Sequence, residues 1–211
     1  MKPKRIILVR HGQSEGNEDS LNYETIPDYA LNLTPKGQEQ AIGAGKEILS
    51  IIGDGNIQAY ISPYYRTRQT YNGIKSVLED RISGCHEDPR IREQDWGHLR
   101  HPDDSRLLVQ ERNQYSLFYY RMKDGESGAD VYDRVSVFFE TLYRDFKKDD
   151  YPENTFLVTH GMTLRIFLMR WLHWTVEEYE SLENPHNCQV LVMEMSDEGK
   201  YKLITPLKKR Q

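Results

Sequence analysis

The chain has 211 residues, 37% of them hydrophobic, with 28 basic against 33 acidic side chains and a net charge of −5. That apolar content excludes wholesale disorder, and the acidic balance excludes a general nucleic-acid binder or a polybasic membrane tether. No apolar run exceeds four residues, which excludes a transmembrane helix, and two distant thiols, Cys85 and Cys188, make neither a disulfide scaffold nor a zinc knuckle. The first residues run straight into Ile6 with no leader-like stretch. The expectation is a cytoplasmic chain folded as one domain over 1–211, with neither nucleic acid nor membrane as partner.

Residues 5–9 read as a buried strand, short, β-branched and stopped by polar residues and Gly12. The polar stretch 12–33 is too long for an idle loop. Thr34 followed by Pro35 marks a helix start, and Gly53 its end. Residues 57–61 form a second strand, after which Ser62 and Pro63 repeat the cap-plus-proline pattern and open a helix to about 78. A short strand follows at 81–86, then a charged loop at 88–102 containing Trp96 and Gly97, then helices near 103–121 and 128–148, the second capped by Ser127. Residues 154–159 form another strand, and Gly161 leads into a helix to about 172. Thr175 and Glu178 form a capping box. Two strands, 188–195 and 201–205, close the chain. Strands alternating with helices predict a three-layer α/β/α sandwich on a mainly parallel sheet, with a cap or insert around 88–127.

In such sheets ligands bind beyond the carboxyl ends of the strands. After the first strand stand Arg10, His11 and Gly12; after the second, Arg66 and Arg68; after the fourth, His160 and Gly161. Two histidines and two or three arginines thus converge from remote parts of the chain. Arginine's planar fork matches phosphate oxygens and stays charged. Gly12 and Gly161 let backbone approach a bound group, and helix starts after Gly161 and near Ser62 add partial positive charge. A concentrated cationic pocket in an acidic chain suits a small phosphorylated substrate. The surrounding charge keeps His11 neutral and nucleophilic, with its second ring nitrogen held by a carbonyl in the 12–16 turn. Arg10, Arg66 and His160 then hold the transferring phosphoryl group. A leaving alkoxide needs a proton, for which the loop offers Glu93 and Asp95.

Arg10-His11-Gly12, Asn17, the 62–66 segment, Glu93 and His160-Gly161 together resemble the histidine phosphatase superfamily in its phosphoglycerate-mutase-like branch, over about residues 5–195. The resemblance implies that His11 carries the phosphoryl group. It makes Arg10, Asn17, Arg66, His160 and Gly161 the phosphate pocket and Glu93, in preference to Asp95, the proton donor. It also implies no metal and no cofactor. The segments 92–97, 125–135 and 167–171 are most similar to plant and fungal phosphoglycerate-mutase-like proteins, which are regarded as phosphatases. Against the glycolytic mutases there are departures. Asp104 stands at the position of their lysine, 103–127 has no adjacent arginine pair, and 21–30 has no glycine. The expected activity is therefore a metal-independent phosphatase working through phosphohistidine on His11. A mutase-type transfer between substrate hydroxyls and a non-catalytic phospho-ligand binder are the alternatives.

His86, His98, His101, His173 and His186 read as structural or surface residues. Trp171, Trp174 and Phe167 read as helical core rather than as a platform for bases or sugars. The helix-borne aromatics Tyr115, Phe118, Tyr119 and Tyr120 could line a cap. Arg68 lies two residues past Arg66 and so on a different helix face. Cys85 and Cys188 read as inert thiols.

Overall fold

The alternating pattern resolves into one six-stranded sheet in the computed structural model, which describes residues 2–97 and 102–210. His98 and His101 lie outside the described residues. The strands are β1 (Arg5–Arg10), β2 (Ile57–Ile61), β3 (Ile82–Glu87), β4 (Asn154–Thr159), β5 (Val190–Met195) and β6 (Tyr201–Leu203), in the spatial order β3-β2-β4-β1-β5-β6. The first four run parallel, while β5 and β6 are antiparallel to their neighbours. The helices are α1 (Glu15–Glu18), α2 (Asn22–Thr25), α3 (Pro35–Ile52), α4 (Tyr65–Leu78), α5 (Pro102–Tyr115), α6 (Gly128–Asp145), α7 (Gly161–Leu172) and α8 (Val176–Glu180).

Two cores sandwich the sheet because successive strand residues point to opposite faces. Ile7, Val9, Phe156 and Val158 pack with Ile48 of α3 and Ile74 of α4. Ile6, Leu8 and Leu157 pack with Phe138 and Leu142 of α6 and Phe167 of α7. Each such fully buried aliphatic or aromatic side chain stabilises the fold by about 1.5–3 kcal/mol before entropy is counted. Phe167 and Trp171 stack at 5.6 Å and 8° within the second core, and Trp174 packs against it, as core packing requires. Among the described residues, no helix is long and apolar enough to cross a membrane.

The register sets the site. Arg10 pairs with Thr159 and Ile61 with Val158, so His11, His160 and Ser62 leave the sheet side by side. The helix caps follow the sequence at Thr34, whose hydroxyl accepts the Gly37 N–H at 3.1 Å, and at Ser127 and Thr175, which close capping boxes with Asp130 and Glu178. The polar stretch after β1 contains α1, α2 and a single 3-10 turn.

Four of the boundaries that differ from the expectation do so for a local reason. α4 begins at Tyr65 rather than at Ser62. The Ser62 carbonyl accepts the Thr67 hydroxyl at 2.8 Å and its own hydroxyl bonds His160, so this serine caps nothing and its helix start lies a turn away. The helix expected to reach 121 stops at Tyr115, where the Ser116 hydroxyl takes the N–H groups of Phe118 and Tyr119 at 3.1 and 2.9 Å. α6 ends at Asp145, a buried carboxylate that accepts the Tyr60 hydroxyl at 2.8 Å and pairs with Lys148. β5 starts at Val190 because Cys188 sits in the left-handed region, at φ 56°.

Candidate active site

His11 emerges from β1 into a tight corner. A Cβ at Gly12 would stand 2.5 Å from the Gly37 carbonyl oxygen. Close packing of the loop on the start of α3 therefore requires that glycine. The Gly12 carbonyl turns back to His11 Nδ1 at 2.7 Å. A neutral His11 therefore carries its proton on Nδ1 and leaves Nε2 with a free lone pair. The Gly12 N–H is held in turn by the Thr70 hydroxyl of α4 at 3.0 Å.

His160 is the N-cap of α7 and is fully buried. Its Nε2 lies 2.8 Å from the Ser62 hydroxyl, while its Nδ1 is buried with no partner. The two imidazoles meet edge to face with centroids 5.2 Å apart, and Tyr64 packs edge to face on His160 at 5.0 Å. Burial, then the Arg66 and Arg10 charges, hold His11 well below the usual histidine range. Burial, then Arg66 and His11, do the same to His160.

Those two shifts set a stability prediction. Below about pH 6.5 the unfolded chain protonates both rings while the native state does not, so ν of the unfolded state exceeds ν of the native state. Stability is then complete above the unfolded value of 6.5 and is lost as pH falls beneath it. The expected slope is about 1.4 kcal/mol per pH unit for each ring. Urea unfolding between pH 7 and 5 measures it, and replacing His11 should remove about half of the histidine contribution.

Arg66, on the first turn of α4, is 3% exposed. Its guanidinium stacks over Tyr64 at 4.9 Å and reaches Asp28, at 2.9 Å to Oδ1, 3.3 Å to Oδ2 and 2.5 Å to the backbone carbonyl. Arg10, at the end of β1, donates to the Pro185 carbonyl at 2.7 Å, and its Nε is buried without an acceptor. Arg68 does not join them. It forms a two-pronged pair with Glu87 at 2.9 and 2.5 Å on the surface, so the convergence of arginines expected from sequence reduces to Arg10 and Arg66.

Glu93 sits where the loop after β3 crosses the start of α7. Its Oε1 accepts the Thr163 hydroxyl at 3.1 Å, the Thr163 N–H at 3.3 Å and the Gln94 N–H at 3.0 Å. Asp95 instead closes a turn on the Gly97 N–H at 2.8 Å and is exposed. Arg134 of α6 clamps the loop by donating to the carbonyls of Arg90, Arg92 and Glu93 at 2.6, 2.9 and 3.1 Å, and it pairs with Glu126 at 3.0 Å. Asn17 spends its amide oxygen on the protein: the Ser14 N–H reaches it at 3.3 Å and the Asn187 side chain at 3.0 Å. Only the Asn17 NH2 group is left for a ligand. Gly161 opens α7 beside Asn184.

Two imidazoles held neutral, the buried Arg66 and the half-buried Arg10 therefore lie together, with a carboxylate at the adjacent helix start. The family profile described as histidine phosphatase superfamily (branch 1) matches residues 6–204. The chain belongs to the histidine phosphatase superfamily. It is 42% identical over 214 residues to the phosphoglycerate mutase-like protein AT74 of Arabidopsis thaliana, covering 95% of this chain and 68% of that protein. It is 30% identical over 302 residues to the broad-range acid phosphatase DET1 of Saccharomyces cerevisiae, covering 99% and 90%. Among solved structures, a mycobacterial glucosyl-3-phosphoglycerate phosphatase shares the fold with a TM-score of 0.75 at 20% identity, covering 96% of this chain and 98% of that one.

Within this histidine phosphatase frame, sequence reasoning missed several neighbours of the pocket. Ser62 was visible as a helix cap and within the 62–66 motif, with no sign of its contact to His160. Thr163 carried a faint indication in its place on the first turn of α7. Asp28, in the polar stretch, and Asn187, which donates to the His11 carbonyl at 3.0 Å, carried none. Among the described residues there is no cluster of three or more His, Cys, Asp or Glu side chains suited to a metal ion.

Proposed function

We propose that the protein is a metal-independent phosphomonoesterase of the cytoplasm that works through phosphohistidine on His11. The observation that carries this reading is the His11 ring, buried against His160 at 5.2 Å with Nδ1 tied to the Gly12 carbonyl. A lone pair on Nε2, kept unprotonated by burial and by two guanidinium charges, is what a phosphoryl acceptor needs. Nε2 attacks phosphorus, the P–O bond to the alcohol breaks, and the alkoxide takes a proton from the Glu93 carboxyl. Water then attacks the phosphohistidine, Glu93 takes the proton back, and phosphate leaves. Charge on the equatorial oxygens is met by Arg10, Arg66 and His160 Nδ1, with the Asn17 amide and the Gly161 N–H as further donors. The segment around 88–127 would close over the pocket as a cap within a single domain.

The name of the yeast relative, a broad-range acid phosphatase, supports hydrolysis with water as acceptor. Incubation with a labelled phosphate ester followed by an alkaline quench should leave one acid-labile phosphoryl group per chain, with free phosphate accumulating. Isomerisation of a phosphoglycerate without phosphate release would favour the mutase reading. Binding of phosphate analogues with no turnover would favour a non-catalytic one.

Ser62 supplies a finer check. Its hydroxyl fixes which nitrogen of His160 faces the phosphoryl group. Ser62→Ala removes that contact and lets the ring turn or change tautomer. The expected loss is about tenfold in kcat with KM little changed, read from steady-state kinetics on an aryl phosphate.

A further inference from the structure

Behind Glu93 lies a second group of guanidiniums that the reaction centre does not use. Arg165, two residues past Thr163 on α7, is 2% exposed. It donates to the Asn184 side chain at 3.1 Å and to the Tyr179 carbonyl at 3.4 Å, and its guanidinium carbon lies 4.3 Å from the Tyr179 ring centre. Arg112, on α5, lies over the ring of Trp96 at 4.9 Å. Three buried polar atoms here have no partner: Arg112 Nε, Arg165 Nε and the Tyr179 hydroxyl. Both Nε groups can only donate, and the hydroxyl can donate. Among the residues whose side chains are described, which leave out 98–106, neither guanidinium has a carboxylate within ion-pair distance.

The placement ties this cluster to the substrate pocket. Asn184, which holds Arg165, also lies 3.2–3.4 Å from where a Cβ on Gly161 would stand. Glu93 reaches α7 at Thr163. Arg112 and Arg165 repel one another, and both feel the Glu93 charge. The C-terminal segment brings Arg210 to the same region, where its N–H and Nε hold the Ser181 and Leu182 carbonyls at 2.7 and 3.0 Å. Like charges gathered under cover, with donors left open, are stabilised by an anion from outside.

We propose that Arg112, Arg165 and the Tyr179 hydroxyl form a second anion subsite, which takes a carboxylate or phosphate carried by the leaving alcohol of the substrate. This rests on the phosphomonoesterase reading of His11. It makes the preferred substrate a phosphate ester bearing two separate anionic groups, and it places the second of them on the Glu93 side of the pocket, where the leaving oxygen departs.

Three esters test it: 4-carboxyphenyl phosphate, 1,4-phenylene bisphosphate and the neutral isostere 4-carbamoylphenyl phosphate. The wild-type protein is expected to show kcat/KM about tenfold or more higher on at least one doubly anionic ester than on the carbamoyl ester. Which of the two gains identifies carboxylate or phosphate. Arg112→Gln and Arg165→Gln should each bring that ratio close to one. Arg112 is only half-buried, so its variant keeps the test open if Arg165→Gln does not fold, and the wild-type comparison needs no variant. Equal turnover of all three esters by the wild type, or a ratio unchanged in both variants, overturns the subsite while leaving the phosphatase reading standing. No turnover of any ester removes the phosphatase reading and the subsite's role with it.

Discussion

His11→Ala is expected to lower phosphate release by about 10⁴-fold or more, with no phosphoryl label retained on the protein after an alkaline quench. The size follows from the role. Arg10, Arg66 and His160 can still bind an oxyanion, but nothing replaces the nitrogen that splits the displacement into two steps. Substrate binding should survive, because the guanidinium of Arg66 is anchored by Asp28 and Tyr64 rather than by His11. The same variant should flatten the loss of stability below pH 6.5, since one of the two buried rings held neutral is gone. Phosphate release at the wild-type rate, or a label that persists on the variant, would overturn the assignment of the nucleophile.

Glu93→Gln has the second largest expected effect and a more particular signature. Glutamine keeps an acceptor for the Thr163 and Gln94 donors that hold Glu93 Oε1, so the loop stays in place and the effect is chemical. An alkyl phosphate has a poor leaving group and should lose about 10²–10³-fold in kcat. With 2,4-dinitrophenyl phosphate the first step needs no proton. The phenolate should then appear in a burst of one equivalent, followed by slow turnover while phosphohistidine accumulates, because water has lost its base. Asp95→Asn should change neither phase, since that carboxylate is engaged with the Gly97 N–H. A first step slowed equally on both esters, so that the dinitrophenyl burst disappears, or an equal loss in Asp95→Asn, would remove Glu93 from the proton transfer.

The elements that were legible in the sequence share a property: their information is local. The run from Ile6 to Val9 ends abruptly at Arg10 and His11, and the run before His160 ends in the same way. Thr34 with Pro35, Ser127 with Asp130 and Thr175 with Glu178 are caps whose donors and acceptors lie within one turn. Ser62 shows where locality fails. Serine before proline reads as a helix start, yet its hydroxyl is claimed by a histidine 98 residues away, and the helix begins a turn later. Arg68 fails in the opposite sense. It sits close to Arg66 in sequence, but the helix turns it outward onto Glu87.

The order of strands and stops in this sequence, taken alone, determines a layered α/β fold with His11, Arg66 and His160 at strand ends, because strand length, capping and alternation are short-range properties of the chain. Only the folded molecule decides which long-range partners those residues meet. The pairing of Arg10 with Thr159 and of Ile61 with Val158 sets His11, Ser62 and His160 in one corner. The meeting of Asp28 with Arg66, and of Arg165 with Tyr179 and Asn184, depends on how loops drape over that corner. Such contacts follow from packing of surfaces remote in sequence, and no window of neighbouring residues encodes them.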